Sequence, residues 1–348
     1  MEIRELHNRN DQKMWDAYVL SHPEATLAHA SQWKWIIEKT YGHKSFHAMA
    51  VDRGEVVGLV PLIGIKSLFF GKSLSSMPFL DYGGILASDE EVFQFLLGYV
   101  RKILKTEKLN FSEMRSLPEK GQQYSQWKSW EQKVTFLLNL DENSEIVWKS
   151  FNAKVRNQVR KSEKSGIVVR FAGKERLPDF YSVFAQNMRF LGSPVHSRTF
   201  FENILDEFRG QAELALASLN DEVIGGAVVL YFKDTALVPW ASSLRKYIKN
   251  CPNNGIYWSI IKKCCENGYK TFDFGRSSIG EGTYRFKKSW NGEIHPLHWY
   301  FYSNDKNFNL PGNLNGKNQY SHFIKIWQKT PLKITEVLGP FIRKNVSN

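Results

Sequence analysis

Among 348 residues only three are cysteine, Cys251, Cys264 and Cys265. Two of these are adjacent and no C-x-x-C spacing occurs, so neither a disulfide framework nor a thiolate zinc site is expected. No apolar run approaches the roughly 20 residues that span a bilayer. The longest, over 56–65, is interrupted by a proline and glycines and reads as a buried strand region. The opening Met1-Glu2-Ile3-Arg4-Glu5 is charged and lacks the apolar centre of a secretion signal, so a cytoplasmic location is expected. No G-x-S-x-G elbow is present. Gly71-Lys72-Ser73 resembles the end of a phosphate loop, but six residues separate Gly64 from Gly71 instead of four. His43 and His47 share a helical spacing without an acidic residue suited to a metalloprotease, and His295 and His298 flank a proline. Both pairs read as packing or hydrogen-bonding groups, and no metal site is expected.

What the chain does have is basic and aromatic. The formal net charge of +12 points to an anionic partner or surface, for which phosphate is the usual reason. Aromatic residues make up 14%, enough to supply large buried surfaces and also the walls of a cleft. A hydrophobic share of 42% excludes a disordered chain, and the length suits two ordinary domains.

A weak internal repeat organises the sequence. Gly54-Glu55-Val56-Val57-Gly58 is echoed by Asp221-Glu222-Val223-Ile224-Gly225. Each reads as a turn between two apolar, β-branched strands. A helix follows each, over 91–108 and 255–267, and then a short strand ending in Arg-Ser, over 110–116 and 271–277. The shared order suggests two copies of one α/β unit. A strand over 134–140 then meets an acidic helix start, which places a boundary near Leu140-Asp141. The expected division is 1–140, 141–303 and a basic, apolar tail over 304–348 that opens with an Asn-, Gly- and Lys-rich loop.

Beyond the boundary, Trp148, Phe151, Val155 and Val159 recur at steps of three and four and share one helical face. Lys149, Lys154, Arg156, Arg160, Lys161 and Lys164 fall opposite, and Ser165-Gly166 supplies the stop. The cationic side is either a solvated face or a phosphate-binding wall. In the second case Arg156 and Arg160, one turn apart, could share one phosphate.

The strongest signal lies in 273–300. Asp273-Phe274-Gly275-Arg276-Ser277 ends a strand, and a loop with Gly280 and Gly282 follows. Thr283, Phe286 and Trp290 then match one face of a short helix closed by Asn291-Gly292. An alternating hairpin stays open, because Tyr284 and Phe286 also alternate; the helix is preferred. This segment resembles the FemAB family of the GNAT superfamily, in particular members associated with PEP-CTERM and exosortase exopolysaccharide loci. Those proteins carry Asp-Phe-Gly-Arg-Ser, a glycine loop, and Phe-Lys-Lys-x-Trp-Gly before a Pro-Leu-His strand. Here Asn291 intervenes between Trp290 and Gly292, and Pro296-Leu297-His298 follows. Arg189 with Gly192-Ser193-Pro194-Val195 resembles the family's Arg-x-x-Gly-Thr-Pro-Val, and Leu338-Gly339-Pro340 resembles its ending. The likeness covers roughly 145–345 and is weak before that; its motifs are specific in combination, though each alone is poor evidence.

The resemblance implies an α/β (α+β) fold of tandem GNAT-like domains, each a mixed, mostly antiparallel sheet flanked by helices. It implies an acyltransferase that moves an acyl or aminoacyl group to an amine of a cell-envelope or exopolysaccharide precursor. No tightly bound cofactor is expected; the donor would be acyl-CoA, acyl carrier protein or aminoacyl-tRNA. The tRNA-dependent relatives often carry a long helical hairpin that this sequence lacks. Two alternatives stand beside this reading: an aminoacyl-tRNA-dependent peptidoglycan peptidyltransferase, and a non-catalytic GNAT-fold protein that binds an anionic glycan or membrane. An RNA-binding protein is a third class, without a recognisable RNA-binding motif to support it.

No activated serine or cysteine is apparent, so direct attack by the amine within a ternary complex is expected. Lys287 matches the family's Phe-Lys lysine and is the candidate for stabilising the oxyanion. Asp273, set among apolar neighbours, is the second candidate, either as a proton acceptor or as a structural partner of Arg276. Arg276, Gly280 and Gly282 are candidates for gripping donor phosphates, though the glycines equally suit a tight turn. Lys288 and Trp290 complete that segment. Arg189 and His196 bracket a turn that, by resemblance, closes over the acceptor. The partner expected is an anionic small molecule or lipid-linked glycan, with tRNA or acyl carrier protein as donor carrier. The tail, with Phe323, Ile324, Trp327, Val337 and Phe341 among basic residues, either packs on the body or lies peripherally on the inner face of a membrane.

Overall fold

The computed structural model describes residues 1–67, 71–310 and 321–346. The chain runs through β1 (Glu2–Glu5), α1 (Arg9–Ser21), α2 (Gln32–Tyr41), β2 (Lys44–Ser45), β3 (Ala48–Asp52), β4 (Glu55–Val60), β5 (Ile63–Ser67), β6 (Gly71–Ser75), β7 (Leu86–Ala87), α3 (Glu90–Thr106), β8 (Phe111–Ser116) and β9 (Lys128–Asn139). It continues through α4 (Ser144–Ser150), α5 (Ala153–Lys164), β10 (Val168–Ala172), α6 (Leu177–Leu191), α7 (Arg198–Glu207), β11 (Ala212–Leu219), β12 (Glu222–Phe232), β13 (Thr235–Ser243) and α8 (Pro252–Glu266). Then come β14 (Thr271–Asp273), β15 (Ser277–Ser278), α9 (Gly282–Lys288), β16 (Glu293–Tyr302), α10 (Ser321–Lys329) and α11 (Leu332–Arg343).

Two compact units result. The first takes Met1–Gln132, resumes at Pro296 and includes the chain from Lys344; the second takes Lys133–His295 and the closing helices through Arg343. This division departs from the contiguous pieces 1–140, 141–303 and 304–348. The reason is strand pairing: β16 aligns His298 through Tyr302 with β8, so the residues after Pro296 belong with the first unit. The expected tail is likewise no separate piece, because α10 and α11 pack on α6. Positions 311–316 of the loop expected there, residue 320 of the tail, and 68–70 beside Gly71 lie outside the described residues.

In the first unit, β1, β3, β4 and β7 form one antiparallel sheet. A second places β16, β8, β6, β5 and β2 side by side, parallel only between β6 and β8. Asp89 caps α3 by accepting the Val92 N–H at 2.9 Å, and Phe93, Leu96, Leu97, Val100 and Leu104 turn into the core. In the second unit the order is β10-β11-β12-β13-β14-β9, antiparallel except between β13 and β14. Helices cover both faces. A Cβ on Gly225 would stand 2.9 Å from Ile256 of α8, whereas one on the next residue, Gly226, would stand 3.0 Å from Phe180 of α6. Successive strand residues point to opposite faces, and here each face has only room for hydrogen.

The repeat seen in the sequence has a structural counterpart. Arg53 and Gly54, and likewise Asn220 and Asp221, have positive φ, as the tight hairpin turns that match strand twist require. Each hairpin then carries a bulge at the same offset, at Val57 in the first and Ile224 in the second. A shared irregularity of this kind is stronger support for duplication than matching residues, because a bulge is a specific backbone feature.

Candidate functional site

β13 and β14 pair in parallel through Thr235↔Thr271, Ala236↔Phe272 and Leu237↔Asp273, and the pairing ends there. Just beyond, the register of β13 against β12 slips, so that Val238 and Pro239 together face Val229. Proline has no N–H to donate, and a bulge bends its strand, so β13 parts from β14 at this point. Among the described residues no other strand takes the edge of β13 that β14 leaves.

The end of β14 is held by a buried carboxylate. Asp273 is 0% exposed and accepts hydrogen bonds from Thr135 Oγ1 at 2.5 Å and from the Gly275 N–H at 2.7 Å. The chain turns sharply at Gly275, whose φ of +71° suits glycine. Lys287, on α9, is 8% exposed, and its ammonium donates to the carbonyls of Gly275 at 2.8 Å and Arg276 at 2.9 Å. A cation this deeply placed needs such acceptors, since a buried charge without them costs several kcal/mol, on the order of a lost ion pair. Tyr257 of α8 lies flat on Phe274 with ring centres 5.5 Å apart. Burial, reinforced by the negative charge of Asp273, pushes its phenol pKa up, so it stays protonated.

α9 is the short helix preferred from the sequence, and Trp290 fixes its end. Trp290 is fully buried, with its ring 5.1 Å from Phe151 and 6.0 Å from both Phe274 and Phe286. It is therefore a core anchor and not the ligand-binding surface expected of it. Lys288, one residue after Lys287, points outward over Tyr284 at 5.9 Å. Gly280 has φ of +81° and its carbonyl accepts from Arg285 at 2.9 Å, which fits the turn reading. Gly282 opens α9 with open space around it and no positive φ.

The cationic helix expected over 148–165 is two helices. Asn152 accepts the Val155 N–H at 2.9 Å and so caps α5, ending the run between Ser150 and Ala153. The break redirects Arg156, whose guanidinium donates to the carbonyls of Phe151 and, at 3.2 Å, Lys149. Arg160 instead lies over Trp148 at 5.5 Å. The two do not converge on one phosphate here. His196 is also elsewhere: it is buried, stacked on Phe200 at 4.5 Å, and accepts at Nε2 from Arg343 Nε at 3.0 Å. Desolvation first, and then the Arg343 charge, hold its pKa well below the ordinary imidazole value. Arg189 is partly buried near the end of α6, which stops at Gly192 with φ of +74°. Of the residues expected from the sequence, Lys287, Asp273 and Arg276 come together. Arg156, Arg160 and His196 make local contacts, and the buried Arg189 Nε has no hydrogen-bond partner among the described residues. Sequence reasoning missed Thr135, Pro239 and Arg343. Only Pro239, a proline inside a strand pattern, left a legible signal.

A family model described as an acetyltransferase (GNAT) domain matches residues 149–288. A lipid II:glycine glycyltransferase of Staphylococcus haemolyticus is 21% identical over 79% of this chain and 87% of its own length. Another, from Staphylococcus epidermidis, is 25% identical over 60% of this chain, which spans 55% of that relative. The crystal structure of FemX superposes with a TM-score of 0.71 at 19% identity, covering 93% of this chain and all of FemX. The chain is an acyltransferase of the GNAT class, with a tandem arrangement of GNAT-like folds. Within that class it is similar to the FemAB-like glycyltransferases and shares the fold of FemX.

Proposed function

We propose that the second unit transfers an acyl or aminoacyl group from an ester or thioester donor to the amine of a lipid-linked envelope precursor, at the cytoplasmic face of the membrane. The observation that carries this reading is the meeting, at the end of β14, of a strand edge that loses its partner beyond Leu237 and the buried Lys287 ammonium. A donor chain can hydrogen-bond along such an edge as an added strand does. The amine lone pair then attacks the carbonyl carbon. A C–N bond forms, the C–O or C–S bond breaks, and the amine proton leaves with the departing alcohol or thiol. Negative charge gathers on the carbonyl oxygen, where a fixed cation in a dry site contributes roughly 3 kcal/mol. Lys287 is assigned that role. Asp273, enclosed by Thr135 and Gly275, positions the turn that carries the Lys287 ligands. Arg276, partly exposed, is the candidate for a donor phosphate.

The curated relatives are named for glycyl transfer to lipid II, which supports an aminoacyl donor and a peptidoglycan precursor as the first pairing to test. Aminoacyl-tRNA is the donor that the FemAB resemblance implies. An exopolysaccharide amine is the alternative acceptor. The test is incubation of the purified chain with glycyl-tRNA or acyl-CoA and each acceptor, followed by mass spectrometry of the products. Transfer by the wild type, lost in Lys287→Ala with the fold intact by circular dichroism, supports the reading. No transfer from any donor, or undiminished transfer by Lys287→Ala, overturns it.

A further inference from the structure

The two closing helices dock by one face and leave an apolar face outward. On the docked side, Gly339 lies so close to Val195 that a Cβ would stand 2.9 Å from the Val195 backbone nitrogen. Ile324 similarly fills the space over Gly192, and Gln328 Nε2 donates to the Phe190 carbonyl at 2.8 Å. Trp327 and Thr335 are buried beside them. On the other side of α11, Ile334, Val337 and Leu338 recur at three and four residues and so form one stripe. Val337 is 62% exposed, and Ile326 on α10 is 66% exposed. An apolar stripe left in water in this way marks a contact surface.

The charges say which contact. Between 321 and 346 the basic residues are Lys325, Lys329, Lys333, Arg343 and Lys344, against one carboxylate, Glu336. At a hundred degrees per residue, Lys325 and Lys329 fall beside Ile326, and Lys333 falls beside Val337. All three lysines are exposed. Cations flanking an apolar stripe, with long stems that reach outward, are the pattern of a helix lying in the plane of an anionic headgroup layer. Among the described residues no helix is long and apolar enough to cross a membrane. A contact of this kind is therefore peripheral.

We propose that the outward face of α10 and α11 binds an anionic phospholipid bilayer. Its use, to hold the enzyme where a lipid-linked acceptor resides, rests on the transfer reading above; the binding itself does not. The test is co-sedimentation of the full chain with vesicles of phosphatidylcholine alone or mixed with phosphatidylglycerol. Binding is expected only to the mixed vesicles, and is expected to weaken as salt rises. Replacing Lys325, Lys329 or Lys333 by Gln should weaken it about fivefold each. Val337→Glu with Leu338→Glu should reduce it by at least about tenfold while the melting temperature holds, because both side chains face water. Equal partition to both vesicle types, or binding indifferent to these substitutions, overturns the proposal. So does a wild-type dimer that the double variant dissociates without any vesicle binding, which would make the face a self-association surface. Turnover on a water-soluble acceptor fragment separates the two ideas. The double variant should keep it, and its absence in the wild type would count against the transferase reading alone.

Discussion

Lys287 donates to the Gly275 carbonyl at 2.8 Å while the Gly275 N–H donates to Asp273 at 2.7 Å, so one glycine joins the two charged residues. Lys287→Ala leaves two buried carbonyls without their donor and should cost roughly 1–3 kcal/mol of stability. Its turnover should fall by about a hundredfold or more if the ammonium faces the oxyanion. Urea unfolding and single-turnover assays on the same preparation separate the two effects. A stability loss with unchanged kcat would leave Lys287 a structural residue.

Asp273→Asn keeps an oxygen able to accept from Gly275 and Thr135, so the turn should survive with a loss of about 1 kcal/mol. As a positioning residue, Asp273 should lower kcat on this substitution without moving the pH profile. A shift in the apparent pKa of kcat would instead make it a proton carrier.

Trp290→Ala removes a fully buried indole from among Phe151, Phe274 and Phe286 and should destabilise the chain by about 3–5 kcal/mol. Trp290→Phe should recover much of that loss. Thermal melts of the two variants decide whether this residue acts through packing.

The loop glycines should part ways. Gly280→Ala places a side chain at φ of +81° and should cost about 1 kcal/mol, whereas Gly282→Ala adds a better helix former in open space. The melting temperature should fall for the first and hold or rise for the second.

His196 and His47 are both kept neutral by burial, His47 down to about 3. Their pKa values in the folded chain lie below the unfolded value, so the unfolded chain takes up more protons once the pH passes below it. Stability is therefore complete above about pH 6.5 and declines toward acid, by up to about 1.4 kcal/mol per pH unit for each imidazole. His196→Gln keeps an acceptor for Arg343 and should flatten part of that decline in melts from pH 7 to 5.

Local patterns were legible where the residues that set them are neighbours. The hairpin turns at Gly54 and Asp221, the helix over 91–108 and the short helix carrying Lys287 all follow from spacing and turn residues. The helix over 148–165 failed because Asn152 caps a new start, and an apolar period does not register one capping hydrogen bond. Arg156 then lost its expected partner, since a guanidinium goes to the nearest bare carbonyls.

By itself, the sequence determined the two repeated hairpins, the helices over 91–108 and 255–267, and the segment from Asp273 to Trp290, because propensity, turn chemistry and side-chain period act over a few residues. Tertiary structure alone decided that β13 parts from β14 at Leu237, that Thr135 and Gly275 enclose Asp273, and that His196 meets Arg343. These contacts join residues up to 147 positions apart. Their formation depends on how the sheet registers and which faces are buried, and neither is written in any short stretch of chain.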